Sequence, residues 1–120
     1  MDEVKEKCTA PAIKNDPMFQ LLLSGSIEQF NERREQGENC DLRCGDLRTR
    51  NLKKLNAKGL DLRDCYLRQT DLRGIDFREA NLEGASIHSA KISGAYFPDE
   101  LSPEEIALSL ANGTRLRYRK

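Results

Sequence analysis

Residues 70–84 read TDLRGIDFREANLEG, and one short unit occurs three times within this stretch. Asp71-Leu72-Arg73 is followed five residues later by Asp76-Phe77-Arg78, and then by Asn81-Leu82-Glu83. A period of five matches neither the 3.6-residue period of an α-helix nor the two-residue period of a β-strand. The stretch therefore predicts a chain that changes direction after each unit.

The unit recurs in strict register twelve times between residues 40 and 99, each time around a central residue. Eleven of these centres are large and apolar, and the exception is Ala57. The residue two places before each centre is mostly small or apolar, and in extended geometry it shares a face with the centre. We predict that the eleven large centres form the core: Leu42, Leu47, Leu52, Leu62, Leu67, Leu72, Phe77, Leu82, Ile87, Ile92 and Phe97.

The repeat resembles the pentapeptide-repeat family, whose motif is A-(D/N)-L-x-x. Ala80-Asn81-Leu82-Glu83-Gly84 matches this motif residue for residue, and TDLRG, IDFRE and ASIHS are close variants. The resemblance covers residues 40–99. It implies a mostly β fold, namely a right-handed quadrilateral β-helix, here of about three coils. Four units would then make one coil, so that residues twenty apart stack and Phe77 lies on Phe97.

Helix signals flank the repeat on both sides. Asp16-Pro17 and Ser26-Ile27-Glu28-Gln29 predict a pair of helices that ends at Gly37, the second of them opened by a capping box. Ser102-Pro103-Glu104-Glu105, again a capping box, predicts a third helix that ends at Asn112-Gly113. We therefore divide the chain into a flexible segment (1–15), a helical N-terminal cap (16–39), the repeat (40–99), and a C-terminal helix with a basic tail (100–120).

Composition and charge exclude several classes of protein. The 20 basic and 20 acidic residues cancel, so the overall balance favours no class of partner. No run of 18 apolar residues and no apolar signal segment is present, which predicts a cytoplasmic protein without a membrane contact. In that compartment the four cysteines, Cys8, Cys40, Cys44 and Cys65, are predicted to be free thiols.

No motif for catalysis or cofactor binding is present. The sequence has no glycine-rich phosphate loop, and its one histidine, His88, follows a centre and is predicted to be a surface residue. The spacing of Cys40 and Cys44 lacks the second ligand pair of a zinc site. We therefore predict no enzyme activity, no cofactor and no metal.

A row of basic residues is the strongest candidate for a binding surface. The residue after each of the first eight centres is Arg or Lys: Arg43, Arg48, Lys53, Lys58, Arg63, Arg68, Arg73 and Arg78. We call these eight residues the basic ring. The row breaks at Glu83. Asp residues lie two places before five of the bases, so the same row also fits a solvated surface of ion pairs. One further base, Arg50, occupies an inward position and is expected to reach out past the end of the repeat.

Three functions fit these features. The first, which we prefer, is a non-catalytic module that binds another protein or acts as a scaffold. The second is implied by the resemblance: relatives mimic DNA and regulate gyrase, a type II topoisomerase, although their strongly acidic surfaces contrast with the basic ring. The third is a binder of nucleic acid or another anionic partner through the basic ring and the tail RLRYRK. A homodimer through an end of the repeat or the 101–110 helix and a capped monomer are equally consistent with the sequence.

Overall fold

The computed structural model describes Cys8 and residues 10–119, and it contains three α-helices in this part of the chain. Helix α1 spans Pro17–Leu23, α2 spans Ile27–Glu35, and α3 spans Pro103–Asn112. All three lie where the sequence predicts helices. The expected flexible segment falls mostly on residues outside the described part.

Two of the three helices begin at the predicted N-cap side chains. The Asp16 carboxylate accepts the N–H of Met18 at 2.8 Å, and the Ser102 hydroxyl accepts the N–H of Glu105 at 3.1 Å. The capping box predicted at Ser26 is wrong, since the Ser26 side chain caps no helical N–H. Its hydroxyl lies 3.0 Å from the hydroxyl of Ser24 instead.

The prediction of a mostly β fold, a quadrilateral β-helix of about three coils, is wrong for the described residues. They contain the three helices but no β-strand, and their β-pairing is limited to isolated parallel bridges. The physical reason lies inside each repeat, where a two-residue turn follows the centre and leaves too few consecutive extended residues for a ladder. Pairing therefore reaches one residue of each bridged repeat and then stops, except around Leu47, where both Gly45 and Asp46 are bridged.

The turn has the same form in most repeats. In ten of the twelve repeats, the carbonyl of the centre accepts the N–H three residues later, at 2.9–3.3 Å. The second residue after the centre has a positive φ in ten repeats, including six without glycine. A positive φ at the third position is characteristic of a type II turn. Asp64 and Gln69 adopt this conformation, with φ of 61° and 59°.

Successive twenty-residue lengths of the repeat lie against one another. We call residues 40–59, 60–79 and 80–99 the first, second and third layers. Six of the seven bridges connect residues twenty apart, for example Asp46 with Tyr66 and Tyr66 with Ser86. Phe77 and Phe97 stack as predicted, with ring centroids 5.9 Å apart and planes inclined by 25°. The layers therefore hold a fixed register along the whole repeat.

The core lies between the turns of the layers. Nine of the eleven large centres, from Leu42 to Ile87, are fully buried, and Ala57 is buried as well. Ile92 and Phe97, both in the third layer, are only partly buried. Two polar side chains point into the core and donate to the layer before them: Cys65 Sγ to the carbonyl of Leu42, and Thr70 Oγ1 to that of Leu47.

The first layer is covered by the N-terminal helices. Met18, Phe19 and Leu22 of α1 and Phe30 of α2 are fully buried against the core. Asn31 of α2 joins the helix to the layer, because its amide donates to the carbonyl of Lys54 and accepts the N–H of Asn56. These contacts cover apolar side chains and provide hydrogen-bond partners for polar groups that the end of the repeat would otherwise expose.

The third layer is covered by α3 and the segment that follows it. Leu116 is buried, and its backbone exchanges hydrogen bonds with Gly84 and Ala85. The hydroxyl of Ser109 accepts the N–H of Ile87, and the hydroxyl of Tyr118 accepts the N–H of Leu82. The tail predicted as a basic extension is thus folded onto the repeat as far as residue 119.

Replacing Gly45 with alanine should destabilise the protein, because the added Cβ would overlap the ring of Phe19 at Cε1. Phe19 is fully buried and cannot move aside. We expect a loss of about 1–3 kcal/mol in the free energy of unfolding, measured by urea denaturation. The same change in a Phe19→Leu background should cost much less. An equal cost in both backgrounds would show that the ring is not the cause.

Candidate binding surface

The basic ring lies at the turns, immediately after the buried centres, and its side chains point outward. Four of its arginines form two-pronged pairs with an aspartate two residues earlier in the same repeat, with N–O distances of 2.7–2.9 Å. The pairs are Arg48 with Asp46, Arg63 with Asp61, Arg73 with Asp71, and Arg78 with Asp76. Half of the ring is therefore electrically neutralised within its own repeats.

The backbone explains why each aspartate is in place to form the pair. In all four repeats the carboxylate also accepts the backbone N–H of the arginine, at 3.0–3.2 Å. Asparagines make the same contact to Lys53, Lys58 and Glu83. This local bond holds the start of the turn. The arginine side chain then folds back onto a carboxylate that the backbone has already positioned.

The pairing lowers the pKa of each aspartate. The side-chain hydrogen bond from Arg73 lowers the pKa of Asp71 from 3.8 to about 2, and Arg78 has the same effect on the pKa of Asp76. The pKa values of Asp46 and Asp61 are also lowered, first by the hydrogen bonds from Arg48 and Arg63. A lowered pKa means that the folded state favours the charged carboxylate over the protonated carboxyl group.

The free energy of unfolding should consequently fall with acidification. The carboxylates contribute their full stabilisation above pH 3.8, the ordinary pKa of the group, and this contribution is lost as pH decreases through about 2. We expect Asp71→Asn to make the free energy of unfolding less dependent on pH between these limits, since asparagine keeps the acceptor for the Arg73 N–H but does not titrate. Urea denaturation at a series of pH values measures this free energy. An unchanged slope would contradict the assignment of the shift to this pair.

The other four bases of the ring have different surroundings. Lys53 Nζ lies 4.0 Å from a carboxylate oxygen of Asp71, and Lys58 has no carboxylate within 4.0 Å among the described residues. Asp41 does not pair with Arg43, because it binds Lys14 at 3.1 Å. Arg43 Nε is buried without a hydrogen-bond partner in the described part of the chain. Arg68 donates to Nδ1 of His88 at 2.8 Å.

The arginines of the tail are engaged in internal contacts. Arg115 donates to the carbonyl of Gly84 and to the hydroxyl of Tyr66, both at 2.9 Å. Arg117 forms a two-pronged pair with Glu105, and Arg119 donates to the carbonyl of Asp99. Glu105 therefore does not complete the predicted capping box, since its carboxylate faces Arg117 rather than the start of α3. Lys120 lies outside the described residues.

The prediction of four free thiols is wrong, because Cys8 and Cys44 form a disulfide. Cys65 is buried, and burial raises the pKa of its thiol to about 12, while burial also raises the pKa of the half-buried Cys40. Neither remaining thiol is activated as a nucleophile. Cys8, Cys44 and Asp64 lie within ligand distance of one another, but a disulfide lacks the thiolates that bind a metal.

A thiol titration should distinguish the disulfide from an arrangement of four free thiols. Protein purified without a reductant and unfolded in guanidinium should give two reactive thiols, Cys40 and Cys65, and four after reduction. A Cys44→Ser variant should give three without reductant, because Cys8 is then released. Four thiols in the untreated wild-type protein would rule out the disulfide.

Comparison with known protein families agrees with the repeat. The family model for pentapeptide repeats matches residues 61–97 in eight copies. Residues 61–97, which lie in the second and third layers, therefore carry pentapeptide repeats. The bridges from Asp46 and Asn51 carry the same spacing back into the first layer, which lies outside that match. No curated protein and no solved structure matches the chain.

Proteins that carry pentapeptide repeats are generally non-catalytic modules for protein interaction or scaffolding. The described part of this chain also lacks a helix that could cross a bilayer, as its helices have 7, 9 and 10 residues.

Proposed function

We propose that this protein is a non-catalytic module that binds another protein or acts as a scaffold through the outer surface of its repeat. The observation that carries the proposal is the set of four aspartate–arginine pairs, which are held in place by the backbone of each turn. Groups that are already ordered lose little conformational entropy when a partner binds. The surface is polar and rigid, and it alternates in charge.

The same pairs make a polyanionic partner less suitable for the basic ring as a whole. A protein gains affinity for nucleic acid from each phosphate that its cations neutralise, and five of the eight ring bases already lie within 4.0 Å of a carboxylate. The tail arginines 115, 117 and 119 are likewise engaged. For DNA mimicry, the surface would need a continuous acidic strip, and the alternation of Asp with Arg does not favour one.

A homodimer is a second partner that one observation favours. At the end of the third layer, Ile92 and Phe97 are only partly buried, and Tyr96 beside them is 57% exposed. Ile106 and Leu110 of α3 are also partly buried. This end therefore leaves apolar surface that a second copy of the chain could cover. We also propose a cytoplasmic location for the protein. A disulfide such as that of Cys8 with Cys44 is uncommon in this compartment.

Quantitative affinity capture from the native cell, followed by mass spectrometry, tests the proposal. We expect the wild-type protein to retain a specific protein, and a variant with Arg63→Ala, Arg73→Ala and Arg78→Ala to retain at least about tenfold less, because three ordered contacts are lost. Lys91→Ala is the control, as Lys91 is exposed and lies outside the basic ring.

Five outcomes would count against the proposed role or replace it with another. Retention of no specific protein would contradict it, and so would equal retention by the triple variant and the wild type. Recovery of the chain alone would identify self-association. Inhibition or protection of gyrase in a supercoiling assay would replace the proposal with DNA mimicry, and retention of duplex DNA at low salt would replace it with nucleic-acid binding.

A further inference from the structure

The charge of the repeat surface is unevenly distributed, and its surplus collects on one side. Tyr66 stands two residues before Arg68, at the position where other repeats have the pairing aspartate. Arg68 consequently has no carboxylate within 4.0 Å among the described residues. Arg50 of the layer below also lacks an acidic partner in that part of the chain, and its Nη1 donates to the carbonyl of Leu23 at 3.2 Å.

These two arginines line the same cleft. The cleft has a volume of about 490 Å³. Among the described residues, Asp46 is the single carboxylate in its lining, beside Arg48, Arg50, Arg68, Gln69 and His88. Since Asp46 already forms a two-pronged pair with Arg48, the positive charges of Arg50 and Arg68 are not compensated inside the cleft. The formal charge of the lining is +2, from three arginines and one aspartate with His88 neutral.

The walls of the cleft are fixed by the stacking of the layers. The N–H of Thr49 donates to the carbonyl of Arg68 at 3.0 Å, and the N–H of Gln69 donates to the carbonyl of His88 at 2.9 Å. His88 also lies against Gly113, where an added Cβ would come within 3.4 Å of the Cβ of His88. Three successive layers and the end of α3 therefore position the side chains. This arrangement lowers the cost of organising them around a ligand.

The donors suit a compact oxyanion. A guanidinium has only N–H donors, so Nδ1 of His88 must accept from Arg68, and the neutral ring then carries its proton on Nε2. That N–H and the remaining N–H groups of Arg50 and Arg68 can all donate. Planar guanidinium groups form paired hydrogen bonds with phosphate and carboxylate oxygens. A surplus of two charges matches a phosphate dianion better than a single carboxylate.

We propose that this cleft binds a phosphate group, supplied either by a small phosphate compound or by a phosphorylated side chain. The inference does not depend on the protein-binding role, because the cleft is complete within one chain. No aromatic residue other than His88 lines it, so the ligand is recognised through its phosphate and not through a stacked base. The chemistry is binding alone, without a covalent step.

Isothermal titration at low ionic strength tests the inference, with inorganic phosphate, pyrophosphate and a phosphoserine peptide as separate probes. We expect Arg68→Ala to weaken binding at least roughly tenfold, the effect of losing a charge-assisted hydrogen bond. Arg68→Lys keeps the charge but loses the forked geometry, so it should weaken binding less. Lys91→Ala, the control, removes a positive charge from an exposed residue that does not line the cleft, and it should bind like the wild type.

A second variant masks the site without removing an arginine. Tyr66→Asp restores the aspartate two residues before Arg68 and should pair with it, so that binding falls as in Arg68→Ala. Circular dichroism of each variant checks that it is folded. Binding of pyrophosphate or phosphate identifies a small-compound site, and binding of the phosphopeptide but not its unphosphorylated form identifies a phosphoprotein site. Failure of all three probes would overturn the inference, as would equal weakening by Lys91→Ala.

Discussion

Each repeat must change the direction of the chain within five residues. A short polar side chain before the centre stabilises the turn that does this. An aspartate or asparagine at that position accepts the N–H two residues later in seven repeats, for example Asp61 to Arg63 and Asn81 to Glu83. The N–H would otherwise lack a protein partner at the start of the turn. Because the turn follows at once, the large centre points inward and the next residue points to solvent. In these seven repeats the contact therefore helps to fix both the core position and the surface position beside it.

The same contact governs the charge of the surface. A carboxylate that is already fixed by the backbone can receive an arginine fork at little further entropic cost, and four arginines bind in this way. Asparagine provides the backbone contact without a charge, so Lys53 and Lys58 gain no ion pair within their own repeats. An arginine of the ring is therefore neutralised where an aspartate stands two places earlier, except at Arg43, because Asp41 pairs with Lys14 instead. A row that looks uniform in sequence becomes a surface with paired and unpaired segments.

The sequence predicts what depends on neighbouring residues and misses what depends on distant ones. The helix bounds, the five-residue period and the stacking of Phe77 on Phe97 follow from local pattern and register. The expected strands do not form, because the chain turns after each centre instead of staying extended. At these turns Gln69 and five other non-glycine residues take a positive φ. The disulfide of Cys8 with Cys44 joins residues 36 apart, and no spacing rule indicates it. Glu105 met the local rule for a capping box, yet Arg117 competes for its carboxylate.

The cleft shows how a functional feature arises from an interruption of the repeat. Had position 66 held the usual aspartate, Arg68 would fold back onto it and the surface would be neutral there. Tyr66 instead lies under the guanidinium of Arg115, 5.4 Å from ring centroid to Cζ, and its hydroxyl accepts from the same group. Arg68 is left to bind His88, a neutral acceptor that does not cancel its charge. Because the backbone register is unchanged at Tyr66, the interruption alters the electrostatics of this side without altering the fold. In a repeat of this kind, the positions that depart from the motif are where binding specificity can develop.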